Sequence, residues 1–165
     1  MIRALLAGLT LAVSQTAGVG GQQQPIEEAP SEMSSSGTRF NLPIRTGGGK
    51  QLWTDVFLHG DWRIQRHALT GHHRLLDDKN TRRAWGGIDA CRSAFERLRK
   101  ERPLPPIGNE VVITLHGLGR TRNAMAGIGR YLADEGGYDW LNMSYASTRA
   151  PVDAHAEALA SVLRD

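Results

Sequence analysis

The chain has 165 residues, enough for one domain beside any targeting segment, and its single cysteine excludes an internal disulfide. Its formal net charge is +3, and residues 38–107 carry 14 Lys and Arg against 7 Asp and Glu. Acidic side chains are interleaved with these arginines, and no pattern of stacking aromatic residues accompanies them. Composition therefore favours a solvated basic face, and no nucleic-acid partner is predicted.

Residues 1–24 have the pattern of a secretory signal peptide. Arg3 precedes an uncharged, mainly apolar stretch, Ala4 to Val13, and small residues after it offer cleavage sites. A transmembrane helix needs about 20 apolar residues, so this stretch is too short to be one. We therefore expect an exported protein, periplasmic or extracellular. Residues 25–37 are polar and low in complexity, which predicts a disordered linker, and residues 38–165 form the predicted domain.

Residues 52–76 predict a small antiparallel β meander, because short strand-like runs alternate with turn residues. Three strands are predicted: Trp53–Leu58, Trp62–His67 and His72–Leu76. The polar residues Asp77–Arg83 are predicted to form a loop.

Two residue types in the middle of the chain invite a chemical interpretation. Four histidines match no zinc-ligand spacing and are interpreted as turn and edge residues: His59, His67, His72 and His73. No metal site and no cofactor are predicted. Cys91 lies on the apolar stripe of a predicted helix, so a buried thiol is favoured over a nucleophile.

That helix is predicted over Trp85–Arg102 and is ended by Pro103. Its apolar residues recur at helical spacing: Trp85, Ile88, Cys91, Phe95 and Leu98.

The last third of the chain predicts a strand–helix–strand–helix unit with a parallel strand pair. Val111–Leu115 is mainly apolar and lacks alternation, which is typical of a strand buried on both faces. The following elements are a helix at Asn123–Glu135, a strand at Trp140–Met143 and a closing helix after Pro151. The predicted buried stripes are Met125, Ile128 and Leu132 on the first helix, and Val152, Ala156, Leu159 and Leu163 on the second.

Residues His116–Arg120, called the glycine turn below, join the first of these strands to its helix. A strand, a Gly-rich turn and a helix form a site for negative charge, because the first helical N–H groups lack internal partners. Dinucleotide binding is disfavoured, since Arg122 stands where the third glycine is needed and the second strand does not end near an acidic residue.

Two segments resemble the α/β-hydrolase superfamily, specifically its bacterial esterase/lipase-like members. His116-Gly-Leu-Gly-Arg120 follows the first strand, and Tyr145-Ala-Ser-Thr-Arg149 follows the second. Ala146 stands where proline is usual, and the resemblance covers only residues 109–165. It implies an α/β fold: an incomplete hydrolase-like parallel sheet with flanking helices, preceded by the β meander.

The resemblance also implies roles for the glycine turn. The backbone N–H of Leu118 would be one donor of an oxyanion hole, within the turn formed by His116, Gly117, Gly119 and Arg120. His116 would hold the turn and would not be the catalytic histidine. The substrate would be a small acyl ester or a lipid.

The family also requires a Gly-x-Ser-x-Gly nucleophile elbow, and the sequence has none. We therefore expect the N-terminal portion of an exported serine hydrolase that lacks the catalytic triad and is inactive alone. The alternative is a non-catalytic exported α/β module used for binding or structure.

Overall fold

The computed structural model describes residues 41–49 and 51–165, which form a mixed α/β fold. Its strands are β1 (Ile44–Arg45), β2 (Trp53–His59), β3 (Trp62–His67), β4 (His73–Leu76), β5 (Thr81–Gly86), β6 (Val111–Leu115) and β7 (Asp139–Met143). Its α-helices are α1 (Ile88–Glu101), α2 (Ala126–Gly136) and α3 (Val152–Arg164). The signal peptide and linker predicted for residues 1–37 lie outside the described residues. None of the helices described here is long and apolar enough to cross a membrane.

The first five strands form one antiparallel sheet in the order β1-β5-β4-β3-β2. The three strands predicted for the meander are present in it, with small shifts at their ends. The predicted loop at Asp77–Arg83 is wrong in its second half, because Thr81–Gly86 is strand β5. Its arginines suggested a loop, yet Arg83 reaches back across the turn to pair with Asp77 at 2.8 Å.

Asp77 organises the turn between β4 and β5, and its side chain is almost fully buried. Its carboxylate accepts hydrogen bonds from the N–H groups of Lys79 and Thr81, at 3.0 and 2.8 Å, and from Nε of Arg83. Burial alone would raise the pKa of Asp77, but the donors of Thr81, Arg83 and Lys79 outweigh it and lower the pKa below 3.8. The ionised form is therefore the one that stabilises the turn.

We expect Asp77→Asn to lower the free energy of unfolding by about 1–3 kcal/mol at neutral pH, since hydrogen bonds to a charged group are lost. A carboxylate with a depressed pKa stabilises the fold above its unfolded pKa, and that contribution is lost as pH falls through the folded pKa. The difference from the parent chain should thus shrink below pH 3.8. Urea unfolding across a pH series measures it.

Asp78→Asn is the matched control, because the one contact of the Asp78 carboxylate that the described residues show is a surface pair with Arg102, at 3.9 Å. A pH-independent loss in Asp77→Asn, or an equal loss in Asp78→Asn, would contradict the role given to Asp77.

Helix α1 packs on the five-stranded sheet through Cys91, Ala94 and Phe95. The ring of Phe95 meets that of Phe57 edge-on, with centroids 4.8 Å apart. The helix begins at Ile88 rather than at the predicted Trp85, which is the partner of Arg74 in the β4–β5 ladder. The prediction of a buried Cys91 is confirmed, and burial raises the pKa of its thiol to about 11.

The predicted strand–helix–strand unit is present, and β6 and β7 pair in parallel from Val111 opposite Asp139 to Leu115 opposite Met143. The prediction that β6 is buried on both faces is wrong. Val111 and Leu115 are exposed, and β7 is the only partner of β6 within the described residues. An apolar run without alternation therefore lies here at the edge of a sheet.

The predicted faces of the last two helices need correction. Helix α3 buries Ala158 and Val162, whereas Val152 and Leu163 of the predicted stripe are exposed. The small residues allow a close approach to β2, where the hydroxyl of Ser161 donates to the carbonyl of Val56 at 2.9 Å. In α2 the buried residue is Gly129, and the predicted Ile128 is exposed.

Candidate functional site

The glycine turn follows β6 and is closed by a hydrogen bond from the N–H of Arg120 to the carbonyl of Gly117, at 3.1 Å. Gly119 has φ +70°, a left-handed conformation that strains other residues. At Gly117, by contrast, an added Cβ would approach only Cγ of Arg120, at 3.9 Å. Of the two glycines, the turn thus requires Gly119 for its backbone conformation.

His116 is buried behind the turn and is fully hydrogen-bonded. Its Nδ1 lies 3.0 Å from the carbonyl of Gly117, and its Nε2 accepts the N–H of Tyr145 at 3.3 Å. Since a carbonyl only accepts and an N–H only donates, the ring carries its proton on Nδ1. The ring also stacks on Tyr145, with centroids 4.2 Å apart, and the Tyr145 hydroxyl donates to the His116 carbonyl. These contacts support a structural role for His116.

The segment Ser144–Ala150, called the serine loop below, lies against the glycine turn. The N–H of Gly119 donates to Oγ of Ser147 at 3.1 Å. Gln51 bridges the two segments, because its amide nitrogen donates to the Arg120 carbonyl at 2.9 Å while its amide oxygen accepts from Thr148 at 3.2 Å. The two segments that carry the resemblance are therefore in contact.

The structure explains why position 146 carries alanine, where the resembling family usually has proline. Ala146 is fully buried, and its N–H donates to Oγ1 of Thr54 at 3.0 Å. Proline has no N–H, so proline here would leave the buried Thr54 oxygen without this donor.

Leu118 lies at the outer point of the turn and is 80% exposed. Its backbone N–H has no hydrogen-bond acceptor among the described residues. Leu118 borders an open, apolar cavity of about 370 Å³, with walls supplied mainly by β6, β7 and α3. The lining residues include Leu115, Met143, Tyr145, Val152, His155 and Leu159. A backbone donor without an acceptor among the described residues, beside an apolar cavity, suits a ligand with a polar oxygen and an apolar chain.

The same cavity contains a serine and a histidine, Ser147 and His155. The hydroxyl of Ser147 is occupied as an acceptor for Gly119, and both ring nitrogens of His155 are buried without a hydrogen-bond partner. In the part of the chain that the structure describes, Ser147 and His155 form no hydrogen bond with each other. Among the described residues, the cavity therefore contains no hydrogen-bonded nucleophile–base pair of the kind used in acyl transfer.

The histidines of the meander occupy turn and strand-end positions. His67 and His72 stack with centroids 5.5 Å apart, and both ring Nδ1 atoms lie within 3.0 Å of the Thr70 hydroxyl. Burial lowers the pKa of His67, and His72 and Arg74 lower it further. Residues 41–49 and 51–165 contain no group of three or more His, Cys, Asp or Glu arranged to hold a metal ion.

Three residues of the site were not predicted from sequence: Gln51, Thr54 and Asp55. Thr54 and Asp55 belong to β2 and Gln51 lies two residues before it, and each is hydrogen-bonded to the glycine turn or the serine loop. Asp55 gave the only signal, as a charged residue within the apolar strand Trp53–Leu58. Arg120, which the resemblance did include, contributes only its backbone among the hydrogen bonds of the described residues.

Comparison with known proteins leaves the family open. No protein-family model, curated protein or solved structure matches the chain. The mixed α/β fold follows from the elements themselves, while the likeness of the glycine turn and serine loop to α/β hydrolases stays a prediction.

Proposed function

We propose that residues 109–165 are the start of the catalytic domain of an exported, esterase/lipase-like α/β hydrolase. The observation that carries the proposal is the unoccupied N–H of Leu118, which lies at the C-terminal end of a parallel strand beside an apolar cavity. Ligands of α/β sheets bind at this end of the strands. The buried, hydrogen-bonded His116 further supports a turn held in one conformation.

In this proposal the Leu118 N–H stabilises the negative oxygen that develops when a nucleophile attacks an acyl carbon. One such donor is worth about 3 kcal/mol of transition-state free energy. The apolar walls of the cavity would contact the acyl part of a small ester or a lipid. The nucleophile elbow, the acid and the catalytic histidine are not supplied by residues 1–165, so hydrolysis requires a further segment.

Two measurements test this proposal. The coding DNA beyond the codon of Asp165 is expected to continue in frame and to encode Gly-x-Ser-x-Gly within about 30 residues, the length of one further βα unit. The 165-residue chain itself is expected to leave nitrophenyl esters unhydrolysed and to resist a serine-directed phosphonate. Phosphonate labelling with turnover by this chain would show a nucleophile within it and would overturn the proposal.

In the extended protein, activity should depend on the backbone of Leu118 and not on its side chain. Leu118→Pro removes the N–H and should lower kcat on a short-chain nitrophenyl ester by about 100-fold or more. Leu118→Ala is the control, since it keeps the N–H and shortens only an exposed side chain. Circular dichroism of both variants checks the fold, and equal rates for the two would exclude Leu118 as a donor.

The second candidate is a non-catalytic exported module that binds an apolar ligand. It is favoured by the absence of a hydrogen-bonded serine–histidine pair from the described part of the cavity. A stop codon after Asp165 followed by unrelated sequence, together with phosphonate resistance, would support this candidate over the hydrolase.

A further inference from the structure

Strands β2, β3 and β4 bury a polar cluster made of Asp55, Arg63, Gln65 and Arg74. Each of these residues is at most 8% exposed. Gln65 donates to Oδ1 of Asp55 at 2.7 Å, and its own oxygen accepts from Nε and Nη2 of Arg74 at 3.0 and 2.8 Å. Arg74 in turn lies over the ring of Trp53, 3.8 Å from its centroid.

Such a cluster is a poor way to stabilise a sheet. Burial raises the pKa of Asp55, against the opposing influences of Arg63, the Ser144 N–H and Gln65. Nε and Nη1 of Arg63 are buried and have no hydrogen-bond partner among the described residues. Apolar side chains of similar volume commonly give equal or greater stability at buried ionic positions. The cluster therefore calls for a role that apolar residues could not fill.

The second carboxylate oxygen of Asp55 indicates that role, because it is hydrogen-bonded to the serine loop and not to a residue of the meander. Oδ2 accepts the N–H of Ser144 at 2.6 Å, and the Asp55 N–H donates to the Ser144 carbonyl at 2.8 Å. The register of the β2–β3 pair shifts between Asp55 and Phe57. A bulge of this kind turns side chains away from the regular ladder.

Thr54 makes the neighbouring contact, since its Oγ1 accepts the N–H of Ala146. The next residue, Ser147, accepts the N–H of Gly119, which directly follows Leu118. Two hydrogen bonds, joined by the peptide bond between Ala146 and Ser147, thus connect the meander through the serine loop to Gly119, the residue after Leu118.

We propose that Thr54 and Asp55 are positioning residues that fix the serine loop and, through Ser147, the orientation of the glycine turn. The meander then acts as the support that holds the Leu118 N–H in place. What that N–H does rests on the proposed function, whereas the positioning of the turn is independent of it.

Residue-resolved amide hydrogen exchange of the full chain tests the proposal, with each rate compared at equal global stability. Thr54→Val keeps the shape of the side chain but removes the acceptor for Ala146, and should speed exchange at Ala146 and Gly119 by about 10-fold. Thr54→Ser keeps the hydroxyl and should restore the parent rates. Unchanged exchange at Gly119 in Thr54→Val would overturn the proposal.

Asp55→Asn should likewise speed exchange at Ser144 and Gly119. Its control is Asp77→Asn, which removes another buried carboxylate that accepts backbone N–H groups, at the turn between β4 and β5. Equal acceleration of Gly119 in both variants would indicate general loosening and contradict a specific role. If Asp55→Asn does not fold, the exchange rates of Gly119 in Thr54→Val and Thr54→Ser test the proposal without it.

An extended, active protein gives a separate readout. There Thr54→Val should lower kcat by about 10-fold with little change in KM, and Thr54→Ser should rescue it, as expected for a group acting only in the transition state. Absence of esterase activity in every form would reject the proposed function and leave the exchange result standing.

Discussion

Replacing His116 with alanine is expected to lower the free energy of unfolding by roughly 2–4 kcal/mol. The change removes the donor to the Gly117 carbonyl, the acceptor for the Tyr145 N–H and the stacking on the Tyr145 ring. The Tyr145 N–H would also be left inside the protein without a partner. Urea unfolding followed by tryptophan fluorescence measures the loss.

Tyr145→Phe separates the contributions in this contact. It removes only the hydroxyl that donates to the His116 carbonyl and keeps the stacked ring, so the expected loss is about 0.5–1.5 kcal/mol. His116→Ala unfolding within about 0.5 kcal/mol of the parent chain, the range of ordinary surface substitutions, would show that His116 does not hold the turn.

The second large effect is expected at Gly129, where α2 approaches β7. A Cβ added to Gly129 would lie 2.0 Å from Cε2 of Trp140. The indole cannot easily move, because its N–H donates to Oγ1 of the buried Thr114 at 2.8 Å. Gly129→Ala should therefore destabilise the protein by about 1–3 kcal/mol, although alanine favours helices.

Gly127 in the same helix provides the matched control. An added Cβ there meets nothing within 4 Å, so Gly127→Ala should stabilise by about 0.5–1 kcal/mol through helix propensity alone. Thermal unfolding should shift in opposite directions for the two variants. A higher melting temperature in both variants would mean that the Trp140 side chain can move away from the added methyl group without loss of stability.

The sequence predicted element types well where hydrophobic periodicity and turn residues agreed, as in α1 and the β6–α2–β7 unit. It failed where a tertiary contact decided the outcome. Strand β5 has two arginines in a row, and each makes a side-chain contact that the sequence pattern does not show: Arg83 pairs with Asp77, and Arg82 lies over the ring of Trp85. In α3 two faces carry apolar residues, and periodicity does not say which one packs on β2.

In the candidate site, too, local segments could be predicted from the sequence, whereas residues that act through long-range contacts could not. The glycine turn and the serine loop could be recognised as local segments, and their contact follows from parallel strands ending at one edge of a sheet. Gln51 and Thr54 could not be predicted, because they act across more than 65 residues of chain and lie in or just before a strand pattern with no functional signature. Only the hydrogen bonds that they form in the folded chain identify them.

Cys91 offers a practical consequence of how α1 packs. Its thiol is buried beneath the helix and, with its pKa raised to about 11, is scarcely ionised at neutral pH. Thiol reagents attack the thiolate, so labelling of the native protein must wait until α1 separates from the sheet. Because the chain has a single cysteine, the labelling rate reports how often α1 separates from the sheet. The native Cys91 thus suffices to measure this rate, and no cysteine has to be introduced.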